Sequence, residues 1–424
     1  MKNWISEIET LSDFAKTEPQ AVYSCFTHGW VHKLNYFLRV IPDFSDELKL
    51  LDETIDLKLL PVMLGKNFIS ENERELLSLS PKLGGLGIPI FSKTCRQEYE
   101  NSRRLTTQSI NNIREQRQEF DVDLEQLKKT KATIHNENQK RKESTLDQLK
   151  QAMTRDQRRS AELASLKAAS SWLTFMPSKT ENTVLNKREF HNAVALRYRW
   201  PHKYLPTNCA CGKVFNVDHA LSCPKGGYIY ARHDGVRDLI GEIAREISND
   251  VEIEPHLQEL TGEQLGNTRS NESKEARLDL SVRGFWQRGE RAFFDVRIFN
   301  PFALTHVNKD INTVFRSNEK EKKRSYGRRV VEVEHGSFTP LVFTPYGGYG
   351  FETTKAISVL INKLYEKRDF DRSLIGQWVN AKVSFELLRS AILCIRGSRN
   401  RKTTLANEID NIELIMEKNR NTYL

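Results

Sequence analysis

The chain lacks the segments that would place it in a membrane or outside the cell. No apolar stretch approaches the roughly 20 residues that a membrane-spanning helix needs, and the N-terminus lacks the apolar core of a signal peptide. Only 6 of the 424 residues are cysteine, and Cys25, Cys95 and Cys394 are isolated from one another. A disulfide-stabilised secreted domain is therefore disfavoured. We expect an intracellular protein with no membrane partner.

Proline and glycine are missing from residues 111–159, a stretch dense in Gln, Glu, Lys, Arg and Asp. Its large apolar residues are few and widely spaced, chiefly Leu124, Leu127, Ile134, Leu146 and Leu149. Such a composition is typical of a long exposed helix or of disorder, and the broken apolar spacing argues against a long coiled coil. We interpret residues 109–168 as a charged helical linker that is partly frayed.

Charge is not lacking, and it is mainly positive. The formal net charge is +9 and the sequence pI is about 9.1. Basic residues concentrate in residues 100–160, 316–329 and 396–402. Such clusters contact phosphates without reading sequence, so a polyanion is the expected partner. A basic surface is common, however, and does not identify nucleic acid by itself.

Three of the six cysteines fall within fifteen residues, together with a histidine. Cys209, Cys211, His219 and Cys223 form the pattern C-x-C-x7-H-x3-C. Four sulfur and nitrogen ligands on short loops suit tetrahedral Zn²⁺, and Gly212 permits a tight turn after the first pair. The alternative is three buried thiols beside a core histidine. We favour a structural zinc site within a segment, residues 169–226, that also contains a helix.

Residues 275–300 predict two short strands joined by a Gly-bounded turn, each with an acidic residue in an apolar run. Asp279 lies on the first strand, and Asp295 and Arg297 share one face of the second. A carboxylate in a strand built for burial costs several kcal/mol unless something offsets it. Two carboxylates on neighbouring strands could hold Mg²⁺ against a phosphate. A surface hairpin whose Asp residues face water is the plain alternative.

An amphipathic helix precedes this hairpin, beginning near residue 232. Its acidic residues Asp238, Glu242 and Glu246 recur every four residues on one polar face. Taken alone, such a face is most simply a solvated acidic surface. Residues 251–257 then predict the first strand of a sheet.

A polar helix rich in Lys and Arg is predicted downstream, over residues 306–329. It carries Lys322, Lys323 and Tyr326, with both lysines at helical spacing from the tyrosine. A strand pair is expected next, at residues 330–334 and 338–345, and a Gly-rich loop leads to another helix. The predicted order is helix, strand, hairpin, helix, strand, helix, which indicates an α/β core.

The acidic hairpin resembles the core of the restriction-like PD-(D/E)xK nucleases. That resemblance implies catalytic roles for Asp279, Asp295 and the basic residue that follows. It also implies an acidic metal ligand on the preceding helix, with Glu242 as the first choice and Glu246 as the second. The chain departs from the pattern at Leu278, where proline is usual, and at Arg297, where lysine is usual. Arg does not replace Lys in proton transfer, so the third catalytic position stays open.

Residues 170–360 as a whole resemble the C-terminal region of site-specific non-LTR retrotransposon proteins. The resemblance rests on the cysteine cluster, the Arg-His-Asp sequence at residues 232–234, the acidic hairpin and the Lys/Tyr helix. Those proteins carry a CCHC zinc knuckle and a restriction-like endonuclease after a reverse transcriptase. The catalytic lysine there can come from a helix, which implies Lys323 or Lys322 with Tyr326 beside it. Nucleic-acid contacts are implied for six residues: Arg232, His233, Arg237, Lys322, Arg328 and Arg329.

The N-terminal third fits the same family. Residues 17–107 resemble the thumb and post-thumb helices of a retroelement reverse transcriptase, with Leu-Gly-Gly-Leu-Gly-Ile at residues 83–88. No paired acids of a polymerase palm precede residue 83. We expect a C-terminal piece of a longer ancestral polyprotein, and any polymerase activity would come from another chain.

The resemblance divides the chain into five segments. These are a helical thumb-like remnant (1–108), the linker (109–168), the helix with the zinc knuckle (169–226), a restriction-endonuclease-like α/β domain (227–400) and a basic, polar tail (401–424). It implies a Mg²⁺-dependent nuclease that nicks DNA, with structural Zn²⁺, in the nucleus, and with element RNA as a further partner. Two alternatives are an inactive DNA- or RNA-binding remnant and an unrelated zinc-stabilised interaction protein.

Overall fold

The computed structural model describes residues 1–116, 123–263, 265 and 276–397. The described residues form a mixed α/β structure that is mostly helical, with a small four-stranded mixed sheet. The chain divides into two compact units, and the first comprises residues 1–165 and 184–199. The second comprises residues 166–183 and 200–424. The predicted tail, residues 401–424, lies outside the described residues.

The first unit is helical. Its helices up to residue 165 are α1 (Lys2–Ala15), α2 (Pro19–His28), α3 (Asn35–Val40), α4 (Ser45–Thr54), α5 (Leu60–Leu64), α6 (Glu71–Ser78), α7 (Phe91–Arg114), α8 (Leu124–Ala152) and α9 (Arg155–Ala164). Short 3-10 turns lie at Trp30–Leu34 and Pro81–Leu83, and a π-helical segment lies at Ile55–Leu59. Proline opens α2 at its first position, where no intrahelical N–H bond is lost.

The Gly-rich turn at residues 83–88 is held by hydrogen bonds from distant residues. The Tyr23 hydroxyl donates to the Leu86 carbonyl at 2.8 Å, and the Tyr198 hydroxyl donates to the Gly84 carbonyl at 3.0 Å. A Cβ at Gly85 would lie 2.0 Å from the Leu79 carbonyl oxygen, so no larger residue fits there. The turn is structural within its own unit.

Most of the described part of the predicted linker, residues 109–168, is helical. Helix α8 covers Leu124–Ala152, and Asp123 caps it by accepting from the Gln126 amide. Ile134, Leu146 and Leu149 are buried, so the sparse apolar positions do pack. The helices up to residue 165 belong to the first unit. Residues 184–199, which the sequence analysis grouped with the zinc knuckle, also belong to the first unit.

The later elements are α10 (Ser171–Thr174), α11 (Lys187–Tyr198), α12 (Val217–Ala220), α13 (Tyr228–Arg245), β1 (Val251–Ile253), β2 (Leu280–Arg283), β3 (Arg291–Ile298), α14 (Ile311–Lys322), α15 (Arg328–Glu332), β4 (Ser337–Phe343), α16 (Phe351–Lys367) and α17 (Arg372–Arg396). A π-helical segment, Lys323–Gly327, joins α14 to α15. All except α11 lie in the second unit.

The sheet has the strand order β1-β2-β3-β4. β1 pairs antiparallel with β2, and β2 pairs antiparallel with β3 through Leu280↔Phe294 and Val282↔Ala292. β4 pairs parallel with β3 in the register Asp295↔Pro340. A parallel neighbour needs a long crossover, and α14 and α15 lie in that connection.

Both faces of the sheet are covered in the middle. Alternate strand residues such as Leu280, Phe294 and Phe343 pack into a core with side chains of α13, α16 and α17. On the opposite face, Phe293 and Leu278 pack with Val330, Tyr326 and Phe338. The pleat therefore sends Phe294 into the larger core and Asp295 toward the smaller one.

Three strand predictions need correction. Residues 330–334 are not a strand, since α15 covers Arg328–Glu332 and Val330 is fully buried. The β-branched residues there pack in the core as part of a helix, so tertiary packing overrides their strand preference. The hairpin is present, but Asp279 lies immediately before β2, and β1 ends at Ile253, short of the predicted residue 257.

Candidate functional site

The cysteine cluster is built by a tight hairpin and a one-turn helix. The Cys209 amide donates to the Lys213 carbonyl at 2.8 Å, and the Gly212 amide donates back to the Cys209 carbonyl at 2.9 Å. Gly212 has φ +86°, which glycine adopts without strain. Asn216 then caps α12 by accepting from the His219 amide at 2.8 Å. Local hydrogen bonds thus orient both halves of the cluster.

The four predicted ligand atoms come together as the spacing predicts. They all lie within 4.8 Å of one another. The Cys209 and Cys223 sulfurs are 3.9 Å apart, and Cys211 Sγ lies 3.3 Å from His219 Nε2. Tetrahedral Zn²⁺ places its ligand atoms roughly 3.5–3.8 Å apart, given bonds of about 2.0–2.3 Å. The donor set and the separations fit a zinc ion, and the alternative of unrelated buried thiols does not explain them.

The knuckle is tied to the end of β3. The Asn300 side-chain amide donates to the Asp218 carbonyl at 3.3 Å and lies 3.4 Å from the Ser222 hydroxyl. Asn300 is buried and follows β3 by two residues. An ordered cluster would therefore stiffen the strand that carries Asp295.

Asp279 and Asp295 lie side by side on neighbouring strands. The pairing Leu280↔Phe294 puts Asp279 at the next register position beside Asp295. The Asp279 amide donates to the Phe294 carbonyl at 3.1 Å, and its Oδ2 accepts from the Val296 amide at 2.6 Å. The two carboxylates therefore lie beside each other on one face of the sheet.

Asp295 is a buried carboxylate paired with a lysine. Its side chain is 7% exposed, and its Oδ2 lies 2.7 Å from Lys322 Nζ. Burial, opposed by Lys322 and assisted by the nearby charge of Asp279, raises the pKa of Asp295 to about 6. Raised carboxylate pKa values are common at functional sites, because burial and neighbouring charges are arranged there to shift the pKa values of catalytic groups.

His233 joins this site between two carboxylates. Its Nε2 lies 3.1 Å from Asp279 Oδ2, and its Nδ1 lies 3.1 Å from Asp234 Oδ1. Burial lowers the pKa of His233, but the hydrogen bonds and charges of Asp279 and Asp234 outweigh it and raise the pKa to about 9. Both ring nitrogens face acceptors, as suits an imidazolium. The sequence predicted a nucleic-acid contact here and missed the pairing with Asp279.

Helix α14 and the π-helical segment after it bring Lys322 and Tyr326 to the same place. Lys322 Nζ lies 5.7 Å from the centre of the Tyr326 ring, which packs against Phe338 at 5.9 Å. Burial raises the pKa of Tyr326, and Asp295 and Asp279 add to the rise. π-Helical segments often occur at functional sites, and this one carries the tyrosine.

Lys323, the other candidate for the catalytic lysine, contacts a different element. Its Nζ forms an ion pair with Glu352 Oε1 at 2.9 Å. Adjacent residues of a helix point about 100° apart, so only one of the two lysines can face Asp295. The structure brings Lys322 to the carboxylates and Lys323 to α16.

The other two predicted catalytic residues, Glu242 and Arg297, are exposed. Glu242 is exposed on α13, nine residues after His233 and hence on the opposite side of that helix. Its choice as a metal ligand is not supported by this placement. Arg297 is exposed and lies on β3 two residues beyond Asp295, on the same side of the strand.

Three arginines predicted to contact nucleic acid are buried instead. Arg232 is 4% exposed beside Cys394, and Arg329 is fully buried and donates to the Gln258 carbonyl at 2.8 Å. Arg237 pairs with Asp234, Asp238 and Glu254. These guanidinium groups stabilise the fold, and a nucleic-acid role for them is not supported. Arg328 remains exposed and pairs with Glu332 at 2.7 Å.

The site therefore combines two carboxylates, two cations and a phenol. Asp279 and Asp295 carry negative charge, and His233 and Lys322 balance it within 3.1 Å. Within the described ranges, the Cys/His cluster is the group of three or more metal-ligating side chains whose ligand atoms lie close enough together to hold an ion. A hard cation at the carboxylates would need further oxygen ligands, such as phosphate or water.

Comparison with known proteins adds no family to these observations. No protein-family model matches the chain, and a search of curated proteins finds no significant relative. In the part of the chain that the structure describes, no helix has both the length and the apolar character to cross a bilayer.

Proposed function

We propose that this protein is a metal-dependent endonuclease that nicks DNA, of the restriction-like type found in non-LTR retrotransposon proteins. The observation that carries the proposal is the convergence of Asp279, Asp295, Lys322 and Tyr326, which lie far apart in the sequence. The element order around them, with antiparallel β1, β2 and β3 followed by a helical crossover to parallel β4, supports it.

Asp279 and Asp295 are the residues that would hold Mg²⁺. They place two carboxylates side by side on one face of the sheet, and Mg²⁺ is commonly bound by one or two carboxylates together with substrate phosphates. When bound, Mg²⁺ supplies a water of lowered pKa and neutralises charge on the scissile phosphate. The Asp295 carboxylate would have to be deprotonated for this, which the raised pKa permits near neutral pH.

The protein groups around the carboxylates have distinct roles in this proposal. The Lys322 ammonium, 2.7 Å from Asp295, would neutralise the charge that develops on the phosphate. The Tyr326 hydroxyl would orient a phosphate oxygen. His233 would hold the Asp279 carboxylate in position, and the exposed Arg297 would contact the DNA backbone near the cut.

The zinc knuckle would mainly stabilise the fold and would also contact DNA. A structural Zn²⁺ would order residues 209–223. The hydrogen bonds from Asn300 would connect this ordered segment to the end of β3. The net charge of +9 suits a polyanionic partner, DNA or element RNA, and a nuclear location. Polymerisation would require another chain.

A second candidate is an inactive DNA- or RNA-binding remnant of the same kind of protein. One observation favours it. Both carboxylates already have a cation at hydrogen-bonding distance, His233 for Asp279 and Lys322 for Asp295. An incoming metal would have to displace or rearrange at least one of these ion pairs.

Nicking of supercoiled plasmid by the full chain separates the two candidates. We expect Mg²⁺-dependent nicking by the parent, none by the Asp279→Ala, Asp295→Ala double variant, and parental nicking by Lys320→Met, which changes an exposed lysine on α14. Retention of DNA without cleavage by the parent would replace the nuclease with the binding remnant. Equal cleavage by the parent and the double variant would refute the assigned site.

A further inference from the structure

Glu319 is a buried carboxylate for which the proposed chemistry has no use. It lies on α14, three residues before Lys322, and is 5% exposed. A buried carboxylate is costly unless hydrogen bonds or charges offset the lost hydration. Its partners therefore indicate what it does.

The partners of Glu319 are at the start of α16. Its Oε1 accepts from the Glu352 backbone amide at 3.0 Å. The residue that precedes α16 is Gly350, which has no side chain to cap the helix. A Cβ at Gly350 would lie 2.3 Å from that same carboxylate oxygen. Glu319 thus supplies, from another helix, a hydrogen-bond acceptor for the first turn of α16.

Lys323 makes a second link between the same two helices. It is the first residue of the π-helical segment that continues α14, four residues after Glu319, and its Nζ pairs with the Glu352 side chain at 2.9 Å. Two contacts one turn apart fix both the rotation of α14 about its axis and its position along that axis. Lys322 lies between them in sequence, and its direction follows from that rotation.

We propose that Glu319 is a positioning residue, which anchors α14 to the first turn of α16 and so aims Lys322 at Asp295. Lys323 assists it through Glu352. The consequence for nicking rests on the proposed function, whereas the consequence for the side chain of Lys322 does not. The two can therefore be tested separately.

Glu319→Ala removes the acceptor, and Glu319→Gln keeps an acceptor oxygen in the same place. We expect Glu319→Ala to lower kcat for plasmid nicking by about 10–100-fold with KM for DNA within about twofold, because misplacing a catalytic group is costly while phosphate binding is unaffected. Glu319→Gln should stay within about fivefold of the parent. Glu321→Ala, at an exposed position of the same helix, is the matched control and should not change kcat.

The second readout needs no nuclease activity. Lys322 is 20% exposed in its ion pair. We expect acetylation of Lys322 by acetic anhydride, followed by mass spectrometry, to be about fivefold faster in Glu319→Ala, with the rate at exposed Lys320 unchanged. If the parent does not nick but this rate rises, the proposed function fails and the positioning role stands.

The positioning role is wrong if Lys322 in the folded Glu319→Ala variant is acetylated by acetic anhydride at the parental rate. It is also wrong if Glu319→Gln behaves like Glu319→Ala in both readouts, because the acceptor oxygen would then not matter. Circular dichroism of each variant establishes that it is folded. A variant of Glu319 that fails to fold is replaced by Glu352→Gln, which weakens the Lys323 link and should raise Lys322 acetylation to a smaller degree.

Discussion

The zinc cluster and the carboxylate site differ in how far apart their residues lie in the chain. The four zinc ligands come from residues 209–223, one hairpin and one short helix. The carboxylate site takes His233 from α13, Asp279 and Asp295 from the sheet, and Lys322 and Tyr326 from the crossover. The spacing of residues along the chain determines the first site, whereas the packing of α13, the sheet and the crossover against one another determines the second. The predictions that follow test this difference.

The largest effect is expected from loss of zinc. Cys223→Ser removes one of four ligands, and structural zinc in small domains contributes roughly 10–16 kcal/mol of binding free energy. We expect about one Zn²⁺ per chain in the parent by elemental analysis and less than about 0.2 in the variant, because three ligands hold structural zinc poorly. Cys25→Ser, at an exposed isolated cysteine, is the control and should keep its zinc. Equal zinc content in the parent and Cys223→Ser would refute the site.

The next effect separates the two adjacent lysines. Lys322→Met should lower kcat for nicking by about 10²–10³-fold, because it removes the cation beside Asp295. Lys323→Met should lower it by less than about fivefold, since the ion pair with Glu352 is 45% exposed on the lysine side and the Glu319 contact still anchors α14 to α16. Steady-state nicking kinetics measure both. The reverse order would restore Lys323 as the catalytic lysine.

This pair of lysines marks the limit of prediction from the sequence. Residue types and helical spacing placed a lysine and Tyr326 together, but they could not say which lysine faces the sheet. That choice depends on the rotation of α14, which its contacts with Glu352 and the start of α16 determine. The zinc ligands posed no such difficulty, because their backbone hydrogen bonds are within the motif itself.

Burial was the other quantity that the sequence could not supply. Arg232 and Arg329 sit in basic motifs typical of nucleic-acid contacts, yet both are buried. The alternation around Asp295 was predictable, because a strand has a fixed period of two. The alternation around Asp279 was not, because Leu278 precedes β2 and packs on the opposite face of the sheet from Leu280. The strand predicted at residues 330–334 failed because β-branched residues also pack in buried helices, as Val330 does in α15.

A smaller effect is expected from His233. Its pKa is raised from 6.5 to about 9, so its stabilising contribution is complete below pH 6.5 and is lost as the pH rises toward 9. The His233 side chain is 31% exposed, so we expect a difference of only about 1–2 kcal/mol in unfolding free energy between the parent and His233→Asn at pH 6, without metal.

Urea denaturation at pH 6, 7.5 and 9 measures this difference, which should shrink toward pH 9. The same substitution at exposed His256, in the same unit, is the matched control and should leave the pH dependence unchanged. A difference that grows with pH would mean that the neutral imidazole is the form that the folded protein favours. The pairing of His233 with Asp279 and Asp234 would then be wrong.

The smallest effect is expected at Arg328, an exposed residue beside buried Arg329. Arg328→Ala loses only a surface ion pair with Glu332, so unfolding free energy should change by less than about 0.5 kcal/mol. If Arg328 contacts phosphate, the slope of log affinity for DNA against log salt should fall by about one. Glu332→Ala is the control, because it frees the arginine and should not reduce that slope. An unchanged slope in Arg328→Ala would leave Arg328 outside the DNA contacts, and the basic face would have to be sought elsewhere on the second unit.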